Sequence, residues 1–129
     1  MTLHLTGVYA SLLAIIGIYL SIMVSVMRGN KSISILHGDN MALAERMRRH
    51  GNFVESVPLV LILLGAVELG GASPNWLHAI GGILLVSRII HPFGIDHQKP
   101  DAPARIIGTV GTQIATLIAV VFLIWSTLG

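Results

Sequence analysis

Between Leu5 and Met27 the chain runs 23 residues without a Lys, Arg, Asp or Glu, and between Ile106 and Gly129 it runs 24. At 1.5 Å per helical residue, either stretch can cross the ~30 Å hydrocarbon core of a bilayer. A third uncharged run of 19 residues spans Leu69 to Ser87. A fourth apolar stretch, Phe53 to Leu69, is broken only by Glu55 near its start and Glu68 near its end. In lipid every backbone N–H and C=O must be satisfied internally, so such runs fold as helices. The expected fold is an all-α membrane protein, a bundle of four transmembrane helices forming one domain over residues 1–129. Composition agrees: only 11% of residues are charged and mean hydropathy is +0.80, too little charge to wet a soluble surface.

The charges that remain are placed unevenly. All eight basic residues (Arg28, Lys31, Arg46, Arg48, Arg49, Arg88, Lys99, Arg105) lie in or beside the connections between helices 1 and 2 and between helices 3 and 4. The positive-inside rule then puts both basic loops in the cytoplasm and both termini outside an inner or plasma membrane. "MTLHLT" has no basic n-region and the apolar run after it exceeds an h-region, so a retained helix is expected rather than a signal peptide. Cysteine is absent, so any thiol chemistry needs a thiol brought by a ligand.

The first helix is expected to end at Met27, followed by the polar loop "GNKSISILHGDN" with Asp39 or Asn40 placed to cap the second helix. That helix should begin near Met41, enter the bilayer around Phe53 and be interrupted early by Pro58. "LGGASPNW" reads as a short outer turn, with Ser73 as N-cap and Pro74 at the first helical position. The third helix is expected from about Trp76 to Ile90. "HPFGIDHQKPDAPAR" is the second basic loop, and the fourth helix takes the rest.

Glu45, Arg48, Asn52 and Glu55 stand at i, i+3, i+7 and i+10, so on a helix they share one face and form a polar stripe entering the membrane. Such a stripe is either a functional site or a structural lock between helices. Arg46 and Arg49 point elsewhere and read as headgroup anchors, as does Arg28 at the end of the first helix. Arg88 and His91 lie on one face at the inner end of the third helix, as a site or as a snorkelling Arg beside a surface His. Arg105 opens the fourth helix, where the macrodipole disfavours a cation unless an anion shares the position. An anion held there, a thiolate included, would be stabilised. His91, Asp96 and His97 in "HPFGIDH" lack a further ligand at diagnostic spacing, so no metal is expected. No Gly-rich phosphate loop, hydrolase elbow or zinc-protease motif is present.

The stretch "RRHGNFVESVP" resembles the second-helix signature of the MAPEG superfamily, the membrane-associated proteins in eicosanoid and glutathione metabolism. The matching positions are Arg48, Asn52, Glu55 and Pro58, and the four-helix layout, the Arg of the third helix and "APAR" before the fourth also match. The resemblance covers the whole chain and suits a bacterial-type member. It implies a homotrimer with glutathione bound between neighbouring subunits near the cytoplasmic side. Arg48, Asn52 and Glu55 would hold the tripeptide, Arg28 would reach in from the first helix, and Arg88 and His91 would line the pocket. Arg105 matches the arginine that stabilises the thiolate. Ile95 stands where the eicosanoid enzymes have Tyr, and Gly51 where some members have Arg, so an eicosanoid substrate is not expected.

The expected function is a membrane-bound glutathione transferase or peroxidase acting on apolar electrophiles or lipid-derived hydroperoxides. Glutathione is its co-substrate, membrane lipids surround it, and nucleic acid is not an expected partner. Two rivals remain at this level. One is a small transporter using Glu55 as a proton-coupled acid, although such a carrier needs its carboxylate nearer the midplane. The other is a non-catalytic glutathione- or lipid-binding scaffold.

Overall fold

The structure, a computed structural model, describes residues 2–128. It holds four long helices, α1 (His4–Lys31), α2 (Met41–Leu69), α3 (Pro74–Ile90) and α4 (Pro103–Leu128), with a 3₁₀ turn at His91–Gly94. Among the described residues there is no strand. All four helices, α3 taken together with the turn after it, are long and apolar enough to cross a membrane. Gly129, the last residue of the fourth apolar run, lies outside the described residues.

Heptad-like spacing builds the core. Phe53, Val57, Val60, Leu64 and Val67 of α2 are buried at alternating intervals of four and three, the seam that lets helices pack nearly parallel. Leu77, Ile80 and Leu84 of α3 and Leu13 and Leu20 of α1 meet them. From α4 the buried residues are small: Gly108, Thr112, Ala115 and Ala119. Small residues let two helix backbones approach closely in a membrane, where area burial drives packing only weakly. Gly108 shows how closely, since a Cβ there would stand 2.5 Å from the Cβ of His91 and 2.9 Å from the carbonyl of Ser87.

The helix ends follow local chemistry with three differences from expectation. Asn40 caps α2 by accepting from the Leu43 amide at 3.0 Å, and Pro74 opens α3 after Ser73. α1, however, continues past Met27 to Lys31, because Arg28 and Lys31 suit the negative end of a helix dipole. α3 begins at Pro74, the first helical position expected of it and two residues before the approximate start at Trp76, since proline's fixed φ already fits a first turn. α2 runs unbroken through Pro58. At the start of α1 the N-cap Leu3 offers no side-chain acceptor. Glu68 of α2 supplies it, accepting from the amides of Leu5 at 2.9 Å and Thr6 at 2.7 Å.

Candidate functional site

α2 positions the polar stripe with backbone periodicity alone. Arg48 donates from Nη1 to Glu55 Oε1 at 3.2 Å and from Nη2 to Glu55 Oε2 at 3.3 Å, a two-pronged pair across two helical turns. The same Nη2 donates to Asn52 Oδ1 at 3.1 Å, and Asn52 Nδ2 donates back to the Arg48 carbonyl at 3.0 Å. Every one of these bonds stays within α2. The Arg48 and Glu55 side chains remain 53% and 61% exposed, so the pair does not lock one helix of the chain to another. Glu45, expected to extend the stripe, leaves it. Its Oε1 accepts from the His97 amide at 2.9 Å and pairs with His97 Nδ1 at 2.6 Å, while Arg49 lies 3.8 Å from its Oε2.

Arg88 is buried at 3% exposure and faces inward rather than snorkelling. It donates to Ser56 Oγ at 3.2 Å and to the Gly108 carbonyl at 2.6 Å. Ser56 in turn donates to the Asn52 carbonyl at 2.6 Å, so a hydrogen-bonded chain joins α4, α3 and the stripe on α2. His91, 4% exposed, opens the 3₁₀ turn and packs against Gly108. Sequence reasoning passed over Ser56 and Gly108, although Ser56 follows Glu55 directly and stands four residues after Asn52, the spacing of a hydroxyl bonding back to its own helix.

Arg105 lies in the first turn of α4, half-buried, with one long bond from Nη1 to the Pro100 carbonyl at 3.4 Å. Among the described residues it makes no ion pair. Its backbone is pressed against Gly94, where any Cβ would overlap the Arg105 amide nitrogen, which ties the start of α4 to the turn that His91 begins. Arg28 is not brought to the stripe of its own chain. It donates to the carbonyls of Leu36 at 2.8 Å and Ile33 at 3.5 Å and lies 3.3 Å from Met47 Sδ. Ile95 is buried, and its carbonyl accepts from Arg49 at 2.9 Å, so that position offers no side-chain hydroxyl.

Glu45, Asp96 and His97 bring one possible ligand atom each within 4.8 Å of one another. Sequence spacing hid this group, because Glu45 lies on a different element from the other two. Its geometry reads as a fastening of the second basic loop to α2: Glu45 Oε1 already takes both His97 donors, and an arginine stands beside Oε2. His91 takes no part.

With this geometry in place, comparison with known proteins is decisive at the level of family. The MAPEG family model matches residues 6–125. The chain belongs to the MAPEG family. Two Escherichia coli proteins, from strains K12 and O6:H1, are each 29% identical to it over 120 residues, covering 93% of this chain and 90% of theirs. Both are named inner membrane protein YecN. No solved structure matches. The MAPEG match takes in most of the four apolar helices and every candidate residue, from Arg28 to Arg105.

Proposed function

We propose that this MAPEG protein is a homotrimer in an inner membrane that binds glutathione between neighbouring subunits and activates its thiol. The thiolate would attack apolar electrophiles or reduce lipid hydroperoxides. The observation that carries this reading is the outward-facing Arg48–Asn52–Glu55 set on an otherwise apolar bundle. Charges facing lipid are costly, so the set needs a cover, and a second subunit with a ligand in the seam provides one. Glutathione has two carboxylates and one ammonium, which suits an arginine, a carboxylate and an amide on one helix face. Arg88 and His91 line the inner side of that site, and Arg28, turned away from its own stripe, serves a neighbour's. The basic connections face the cytoplasm and both termini face outside, so the anionic tripeptide arrives at the basic end.

Arg105 carries the chemistry. At the start of α4 the positive end of the helix dipole favours an anion, and a guanidinium beside it deepens that preference. A thiol held there loses its proton more readily, and the thiolate is the nucleophile in either reaction. In conjugation it forms an S–C bond as a leaving group departs with its electron pair, or as a conjugated double bond opens and takes up a proton. In peroxide reduction its sulfur takes the terminal oxygen as the O–O bond breaks, the lipid leaves as an alkoxide that is protonated to the alcohol, and a second glutathione converts the sulfenic acid to the disulfide and water. Ile95 offers no hydroxyl, so a general transferase or peroxidase fits better than eicosanoid chemistry.

The test is a pH titration of bound-thiolate ultraviolet absorbance, with a model electrophile assayed in parallel. Arg105→Leu should keep glutathione affinity within a few-fold while losing both the thiolate signal and turnover. Arg105→Lys should recover part of each as a point charge without the planar fork. Wild-type protein that binds glutathione without ionising it below the free thiol's pKa would overturn the enzyme reading.

A further inference from the structure

On another side of α2 from the stripe lies a cavity of about 630 Å3, within the ~300–1,000 Å3 of typical small-molecule sites. Its apolar wall includes Ile15 and Tyr19 of α1 and Ile89 of α3, and its charge comes from Arg46, Arg49 and Arg88. Among the described residues no Asp or Glu lines it. The three guanidiniums are tied down only in part. Arg46 donates to the Met23 carbonyl at 2.9 Å, and Arg49 donates to Ile95 with Glu45 no nearer than 3.8 Å. The Nε atoms of Arg49 and Arg88 are shielded from solvent and bond to nothing among the described residues. For Arg88, a side chain 3% exposed with no carboxylate partner, that is an open demand for an acceptor.

We propose that this cavity binds one anionic membrane phospholipid, its phosphate between Arg46 and Arg49 and an acyl chain along Ile15, Tyr19 and Ile89. A free phosphate ion would meet the arginines and leave the apolar wall bare. A zwitterionic lipid would cover the wall but bring its own cation to the arginines. Basic pockets between helices at the charged end of a membrane protein suit anionic headgroups. Phe93, 82% exposed on the 3₁₀ turn at the same end, is placed to sit at headgroup level. The site shares Arg88 with the proposed glutathione site but differs from its stripe in having no carboxylate of its own and in opening toward α1.

The test is native mass spectrometry and thermal unfolding of the full chain, reconstituted with phosphatidylglycerol or with phosphatidylcholine of the same acyl chains. Phosphatidylglycerol should be retained preferentially and should raise the melting temperature more. Removing two cations with Arg46→Gln plus Arg49→Gln should weaken its retention roughly thirtyfold, whereas Lys31→Gln plus Lys99→Gln should leave it within about twofold. Ile89→Trp fills the cavity without touching charge and should expel the lipid, which keeps the proposal testable if the arginine pair proves necessary for folding. Equal retention of the two lipids, equal losses in both double variants, or displacement by millimolar inorganic phosphate alone would each overturn it. So would cross-linking of a cysteine placed at Tyr19 to a second copy of the chain in lipid-free detergent, since a neighbouring subunit would then cover the cavity.

Discussion

α2 carries a carboxylate toward each end of its apolar stretch, and the two side chains meet different surroundings. Glu68 accepts two amides from the first turn of α1, so both its oxygens are engaged by another element of the fold. Glu55 reaches only Arg48 of its own helix and stays 61% exposed. Placing a carboxylate in or near lipid is costly in both cases. At Glu68 the cost is offset within the subunit, by capping a helix that lacks a cap of its own. At Glu55 only Arg48 of the same helix offsets it, and that pair stays exposed instead of joining another element of the fold. Polar groups that folding consumes and polar groups that folding leaves free can thus be told apart by where their hydrogen bonds go.

The largest effect that sharpens this division is on ligand binding. Arg48→Ala and Glu55→Gln should each weaken glutathione binding by ~1.5–3 kcal/mol, about 10- to 150-fold, through loss of charge-assisted bonds. Their unfolding temperatures should move little, because neither residue ties α2 to another helix of the chain. Titration calorimetry of the solubilised protein reads the first quantity and differential scanning the second. If Lys31→Ala lowers affinity as much as either variant, the stripe has no privileged role.

Glu68→Ala should show the opposite pattern. Losing the side-chain cap that Glu68 gives α1 should cost ~0.5–2 kcal/mol of stability, with glutathione affinity unchanged. Glu68→Gln keeps one acceptor oxygen and should lose less. A Glu68 variant that weakens glutathione as strongly as Glu55→Gln would break the comparison outright.

The smallest expected effect lies at Glu45 and His97, where the second basic loop is fastened. His97→Ala should cost only ~0.2–1 kcal/mol, the range of partly exposed ion pairs. Treatment with a metal chelator should leave the melting curve where it was. A drop in melting temperature with chelator, reversed by a divalent cation, would instead make Glu45, Asp96 and His97 a metal site.

What the sequence revealed and what it hid separate along the same physical line. The four spans were legible because lipid demands about 20 apolar residues per helix: three uncharged runs of 19 to 24 satisfy that directly, and the fourth is broken only by Glu55 and Glu68. The stripe was legible because Arg48, Asn52 and Glu55 repeat at helical spacing within one element. Glu45 was misassigned to it because its partner, His97, is 52 residues away and leaves no periodic trace. Arg88 bonding Ser56, 32 residues apart, was hidden for the same reason. The overrun of α1 to Lys31 shows a milder limit, since hydropathy marks where lipid ends but not where the helix does.

The cap that Glu68 provides also has a consequence for biosynthesis. Its donors, the amides of Leu5 and Thr6, are translated more than 60 residues before the acceptor. Until α2 has been made and turned back, the first turn of α1 has no side-chain acceptor for these N–H groups and depends on headgroups or water. α1 and α2 are therefore a natural insertion unit, a hairpin whose opening helix is finished only when its closing helix arrives. Ribosome-bound chains that stop before Glu68 should leave that first turn frayed, whereas chains long enough to release Glu68 from the exit tunnel should close it.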